Sequence, residues 1–281
     1  MILIKTIQQA SVLSRDYKRK GVSVGFVPTM GALHAGHISL IKNCKLTQAV
    51  CVCSIFVNPA QFDNPTDFEK YPTSIEKDID MLEEAGCDVL FLPSVQEIYP
   101  PGNTPIHYEL GYLETILEGK YRPGHFQGVC QVVDKLLSII MPGELFLGQK
   151  DYQQYMVIKK LISLKNYHVK LELIPTVREK NGLAMSSRNL RLTGDEKEKA
   201  LLISQALFYI KKELKPGNIE GLKEKMKSFL EENGYKVDYV EIANAGNLDA
   251  LKTWDGKTAA VALIAAYLNE VRLIDNLILS I

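Results

Sequence analysis

A chain of 281 residues is long for a single core and implies one large domain with a smaller one beside it. Its 33 basic and 33 acidic residues cancel, which argues against a protein whose main task is to hold nucleic acid, because that needs a large cationic surface. At 46% hydrophobic and with no apolar run of spanning length, it reads as a globular chain with no place in a membrane.

In chain order, residues 1–5 form too short an apolar run for a signal peptide. Residues 6–20 read as a helix capped by Thr6 and closed by Gly21, with Ile7, Ala10, Leu13 and Tyr17 along one stripe. Residues 22–27 alternate and carry β-branched side chains, as a strand does. After the motif at 28–37, apolar residues at 38, 40, 41, 44 and 46 predict a helix to about residue 48. The continuous apolar run 50–57 fits a strand covered on both faces, with Cys51 and Cys53 turned to the core together. A loop rich in turn formers follows at 58–65.

A helix over 74–85, a strand over 88–92, a helix over 126–140, a strand over 144–147, a helix over 151–165 and a strand over 169–174 continue the alternation. This predicts an α/β domain of Rossmann-like, doubly wound type: a parallel sheet with helices on both faces. Ligands gather there beyond the carboxyl ends of the strands. Residues 175–193 form a polar loop without apolar period. Beyond it, helices over 194–213 and 218–233 and strands over 236–242, 258–265 and 270–279 are α+β in character. The boundary near residue 176 gives a nucleotide-binding domain 1–176 and a smaller C-terminal α+β lid domain 177–281. Five cysteines, odd in number and without a Cys-x-x-Cys pair, fit a reduced, cytoplasmic setting.

Four segments carry chemistry. The first is Pro28-Thr29-Met30-Gly31-Ala32-Leu33-His34-Ala35-Gly36-His37. Strand, tight turn and helix present free backbone N–H groups to an anion, Gly36 removes an obstructing side chain, and His34 and His37 share one face. A phosphate cradle is one reading; a plain or metal-binding histidine pair is the other, although no carboxylate or cysteine close in sequence completes a zinc site. The second segment, after the strand 144–147, joins Gly148 and Gln149 to Lys150, a compact charge suited to phosphate, and Asp151, which suits a ribose or a helix cap. The third, Met185-Ser186-Ser187-Arg188, lines up two hydroxyls and a guanidinium as donors in a loop that can close over a ligand; a solvated linker is the alternative. In the fourth, Asn58 and Gln61 serve either turn chemistry or recognition of hydroxyl and carboxylate groups.

Taken together, PTMGALHAGH (28–37), SIFVNPAQF (54–62), YRPGHFQGV (121–129), GQKDYQQ (148–154), PTVREKNGLAMSSRN (175–189) and LIDN (273–276) make the chain resemble the pantothenate synthetase, or pantoate–β-alanine ligase, family over essentially its whole length. That family belongs with the nucleotidylyltransferases and class I aminoacyl-tRNA synthetases. The resemblance implies ATP-dependent joining of (R)-pantoate to β-alanine through a pantoyl-adenylate, giving pantothenate, AMP and pyrophosphate, in a cytoplasmic homodimer. It further implies that Met30, Gly31, Ala32, Leu33, His34, Ala35, Gly36 and His37 form the ATP-binding turn, with His37 as catalytic acid and His34 and Lys150 supporting charge. Gly148, Gln149, Lys150 and Asp151 would hold the nucleotide, Val177 would meet adenine, and Met185, Ser186, Ser187 and Arg188 would close over the triphosphate. Gln61 and Gln154 would hold pantoate, with Gln61 beside β-alanine. Mg2+ would accompany ATP, and Asp78 matches an acidic position linked to that metal. Two departures stand out: Lys77 precedes Asp78, where relatives carry a second acid, and Gln149 replaces a Glu found in many members.

Overall fold

The computed structural model describes all residues except Asn64, Asn103 and Ile281, and leaves aside the Pro65 side chain. Asn64 belongs to the turn-rich loop expected over 58–65, so that part of the expectation lies outside the described residues. By contacts the chain divides into two units. The first holds residues 1–149 and 154–175, and the second holds residues 150–153 and those from 176 onward.

The first unit is built on six parallel strands, β1 (Ile2–Ile4), β2 (Val24–Thr29), β3 (Val50–Ile55), β4 (Val89–Phe91), β5 (Glu144–Gly148) and β6 (Lys170–Ile174). Their order in the sheet is β1-β4-β3-β2-β5-β6. Helices α1 (Ile7–Arg19), α2 (Ala35–Thr47), α3 (Pro65–Glu69), α4 (Ile75–Glu84), α5 (Val95–Ile98), α6 (Leu117–Tyr121), α7 (His125–Ile140) and α8 (Tyr152–Leu164) connect them. Thr6 opens α1 as its sequence predicts. Its hydroxyl accepts the Gln9 N–H at 3.2 Å, and Gln9 Oε1 accepts the Thr6 N–H at 3.3 Å, which satisfies two otherwise orphaned donors.

The two-residue side-chain period of the strands sorts the core into two layers. Val24, Phe26, Val52, Val89 and Phe91 face one layer, filled by α1, α7 and α8. Val27, Cys51, Cys53, Ile55 and Leu90 face the other, against Leu40, Ile41 and Cys44 of α2 and Leu82 of α4. Cys51 and Cys53 thus share a face, and all five cysteines are free and buried. The direction of strand order reverses between β2 and β5, so the turn after β2 and the end of β5 leave the sheet side by side at its carboxyl edge.

β1 was not legible as a strand: three residues give no periodicity, and only pairing with β4 at the sheet edge makes it one. β2 begins two residues later than the expected 22–27, and α2 begins three residues earlier than residue 38 because His34 caps it. The short helices α3, α5 and α6 also escaped the pattern reading, since one turn carries no apolar stripe.

α7 approaches the 3-10 turn Pro59–Gln61 so closely that only glycine fits at 128. A Cβ there would stand 2.0 Å from the Ala60 carbonyl oxygen and 2.7 Å from the Gln61 Cα. Gly128→Ala is expected to destabilise the protein by about 1–3 kcal/mol, the usual cost of overpacking. A thermal unfolding midpoint equal to that of the unaltered protein would contradict this.

The second unit contains α9 (Gly194–Glu213), β7 (Gly217–Asn218), α10 (Glu220–Glu232), β8 (Tyr235–Asn244), β9 (Thr253–Trp254), β10 (Ala260–Leu268) and β11 (Val271–Ser280). β11, β10 and β8 form an antiparallel sheet in that order, while β7 pairs with β9. Ala200, Ile203, Leu207 and Ile210 of α9 and Met226 and Leu230 of α10 pack on it with Ala260, Ala262, Ile264 and Ala266. Small side chains on β10 let α9 come close to the sheet, while α10 packs against β8.

Candidate active site

In the first unit, the turn after β2 is held by side chains that sequence reasoning assigned elsewhere. Gly31 and Ala32 both take left-handed backbone, at φ 83° and 48°. The Ala32 conformation is costly for a residue with a Cβ and persists because its surroundings fix it. Asp78, from α4, provides the fixture. Its two carboxylate oxygens accept the N–H groups of Ala32 and Leu33, each at 2.8 Å, and Ser74 Oγ donates to Oδ1 at 3.0 Å. Thr29 Oγ1 accepts the Gly31 N–H at 3.3 Å and donates to the Ser54 carbonyl at 2.8 Å.

The expectation of free N–H groups in the turn is corrected for three residues: those of Gly31, Ala32 and Leu33 are bonded within the protein. Asp78, matched in sequence to a position linked to Mg2+, is 0% exposed, and backbone amides engage both its oxygens. Among the described residues no group of three or more His, Cys, Asp or Glu side chains could hold a metal.

His34 caps α2. Its Nδ1 accepts the Gly36 N–H at 3.1 Å, and His37 Nδ1 accepts the His34 N–H at 3.3 Å. A backbone N–H can only donate, so each neutral ring carries its proton on Nε2. The ring centroids lie 4.1 Å apart. Two Nε2–H donors on the first turn of a helix whose N-terminus carries partial positive charge are suited to phosphate oxygens.

Gln61 ends the 3-10 turn Pro59–Gln61, and its Nε2 lies 3.1 Å from Met30 Sδ, so the acid-binding and ATP-binding expectations meet at one place. Gln154 is half-buried in the first turn of α8. The Gln61 backbone is gripped by His125 and Arg122. His125 Nδ1 lies 2.7 Å from the Gln61 carbonyl, and His125 Nε2 lies 3.2 Å from Arg122 Nη1. Arginine has no acceptor and the carbonyl no donor, so His125 is neutral with its proton on Nδ1. Burial, then the Arg122 charge, pulls its pKa down to about 4 from 6.5.

The unfolded chain takes up this proton as the pH falls through 6.5, whereas the folded chain takes it up only near 4. Stability is therefore full above pH 6.5 and falls as the pH drops to about 4, by up to about 3 kcal/mol from this residue. Urea unfolding at pH 7 and pH 4.5 should differ less in His125→Gln than in the unaltered protein. An equal difference would contradict this assignment.

The second unit ties Lys150 to the Met185–Arg188 segment through residues that sequence reading left without a role. Arg178 forms a forked pair with Asp275, at 2.6 and 3.0 Å, and donates to the Gly182 carbonyl at 3.2 Å. Asn276 donates from Nδ2 to the Lys150 carbonyl at 2.8 Å. Burial raises the Asp275 pKa, and Arg178 opposes that rise by favouring the charged form. Val177 accepts the Met185 N–H at 3.0 Å, and Arg178 and Ala184 make an antiparallel bridge. Ser186 Oγ accepts the Arg188 N–H at 3.3 Å and opens the 3-10 turn Ser187–Arg191. Lys150 Nζ lies 3.5 Å from Asp151 Oδ1. The segment expected to be a plain polar loop is thus a pinned hairpin followed by a capped turn. The LIDN match had signalled Asp275 and Asn276 without saying what they do.

The sequence profile of the Pantoate-beta-alanine ligase family matches residues 2–278. The chain belongs to this family. The protein named pantothenate synthetase from Cytophaga hutchinsonii is 48% identical over 99% of both chains, and that from Bacteroides thetaiotaomicron is 39% identical over 99% of this chain and 98% of its own. Among solved structures, the Thermus thermophilus pantothenate synthetase superposes with a TM-score of 0.88 at 35% identity over the whole of both chains. The Francisella tularensis pantoate-beta-alanine ligase, described as complexed with beta-gamma ATP and beta-alanine, gives 0.82 at 41% identity over 99% of this chain and 97% of that one. Membership in a ligase family makes the chain an enzyme, and its doubly wound parallel sheet with a small antiparallel C-terminal sheet is the family's fold. Among the described residues no helix is long and apolar enough to cross a membrane.

Proposed function

We propose that this member of the pantoate–β-alanine ligase family joins (R)-pantoate to β-alanine at the expense of ATP, through a pantoyl-adenylate. The observation that carries the reading is the paired-histidine turn, with both protons set on Nε2 by backbone amides, in a chain matched by that family over residues 2–278. The Francisella relative, complexed with beta-gamma ATP and beta-alanine, supports ATP and β-alanine as small molecules for this chain too.

In the first step a pantoate carboxylate oxygen attacks the α-phosphorus. A carbonyl O–P bond forms, the bond from the α-phosphorus to the bridging oxygen breaks, and pyrophosphate leaves. Little covalent chemistry falls to the protein, so positioning and stabilisation of charge on the phosphate oxygens carry the catalysis. His37 Nε2–H donates to those oxygens, and His34 supports it. The turn residues Met30 to Leu33, with Ala35 and Gly36, bind ATP by shape. Lys150 contributes charge, Gly148, Gln149 and Asp151 hold the nucleotide, Val177 contacts adenine, and Met185, Ser186, Ser187 and Arg188 bind phosphates. Gln61 and Gln154 bind pantoate. In the second step the β-alanine amine adds to the carbonyl, loses a proton and expels AMP.

Mg2+ accompanies the ATP phosphates in this reading, held by them and by water rather than by Asp78. A homodimer, a cytoplasmic setting and a lid action of residues 177–281 complete it; five free, buried thiols support a reducing compartment. The test is product identity. With ATP, pantoate and β-alanine, the protein should release AMP and pyrophosphate in equal amounts with pantothenate. ADP and phosphate as products would overturn the adenylate route.

A further inference from the structure

The Gln61 carboxamide could offer either end to an acid, and its neighbours decide which. Asn58, 1% exposed, is held by main-chain groups whose polarity is fixed. Ala60 N–H donates to its Oδ1 at 3.3 Å, and its Nδ2 donates to the Gly128 carbonyl at 3.0 Å. The Tyr99 hydroxyl gives Oδ1 a second donor at 2.9 Å. Burial pushes the Tyr99 phenol up to about 12, so it keeps its proton at working pH. With Asn58 fixed in this way, its Nδ2 also meets Gln61 at 3.0 Å, and the atom it meets there has to be the oxygen. Gln61 Oε1 is therefore taken. Its Nε2 faces Met30 Sδ, a weak acceptor that a ligand oxygen outcompetes.

We propose that Tyr99 and Asn58 are positioning residues that commit Gln61 to present its NH2 group, so that the acid subsite takes an acceptor oxygen at this point. The substrate half of this proposal rests on Gln61 binding the acid as described above; the relay itself does not. A ligand that offers only a donor there leaves two donors facing each other and binds poorly. Gly128 takes part through its carbonyl, which links the tight packing of α7 to substrate polarity.

Two readouts in the full-length protein keep the two halves apart. With 15N labelling and no substrate, the Asn58 side-chain NH2 signal, assigned by its loss in Asn58→Asp, should exchange with water about tenfold or more slower than exposed asparagine amides, and faster in Tyr99→Phe. Exchange at the exposed rate in the unaltered protein overturns the relay, whatever the substrate. In steady-state kinetics, Tyr99→Phe should raise the pantoate KM about three- to tenfold while the ATP KM and kcat stay within about twofold. A purely structural tyrosine would move both KM values together, or neither; either result overturns the proposal. Slow Asn58 exchange in a protein that makes no use of pantoate would instead overturn the ligase reading and the substrate half with it.

Discussion

Replacing His37 by alanine is expected to lower the rate of adenylate formation by about two to three orders of magnitude, the scale for losing one preorganised donor to developing charge. The backbone geometry makes the loss specific. The His34 N–H fixes His37 Nδ1 as acceptor, so the proton on Nε2 is the one the residue can give to a phosphate oxygen. Alanine, a good helix former, keeps the helix at the loss of one capping bond, that from the His34 N–H to His37 Nδ1. Lys150→Ala should fall in the same range, since an ammonium near phosphate stabilises the same charge. Rapid-quench measurement of AMP formation in a single turnover isolates the step. Near-normal rates in both variants would refute these roles.

The second large effect is expected at Asp78. Asparagine has the same shape but one acceptor oxygen, so one of the two N–H groups of Ala32 and Leu33 would face an amide donor in a site that is 0% exposed. An unsatisfied buried donor costs about 1–3 kcal/mol, which if felt in the geometry of the turn lowers the adenylation kcat about tenfold to a hundredfold. The Mg2+ concentration for half-maximal rate should not change, because Asp78 acts through the turn and not on a metal. A raised Mg2+ requirement with kcat restored at high Mg2+ would make Asp78 a metal ligand after all.

These two residues also show what the sequence could and could not disclose. His34 and His37 were visible because three-residue spacing on a helix start has a chemical meaning by itself. The role of Asp78 was hidden because its partners, Ala32 and Leu33, lie 46 and 45 positions away and take part through their backbones, which the residue type does not announce. The Arg178–Asp275 pair spans 97 positions and the Asn276–Lys150 bond 126, beyond any local pattern. The fold was easier to read. The continuous apolar run of β3 and the stripe on α1 extend over enough residues to be recognised, whereas three-residue β1 depends on its neighbour β4.

The neutral tautomers read from the geometry join these points. Backbone groups set His34 and His37 with the proton on Nε2, while Arg122 and the Gln61 carbonyl set His125 with the proton on Nδ1. The same residue type thus carries its proton on Nε2 in one place and, in the other, clamps the backbone of the Pro59–Gln61 turn from Nδ1.

In the proposed reaction pantoate is activated on ATP before any amine arrives. Exchange of labelled pyrophosphate into ATP, measured without β-alanine, tests it directly. Exchange that appears only when pantoate is present, and that is lost in His37→Ala, is the expected result; no exchange with pantoate, in a protein that still forms pantothenate, would contradict the account.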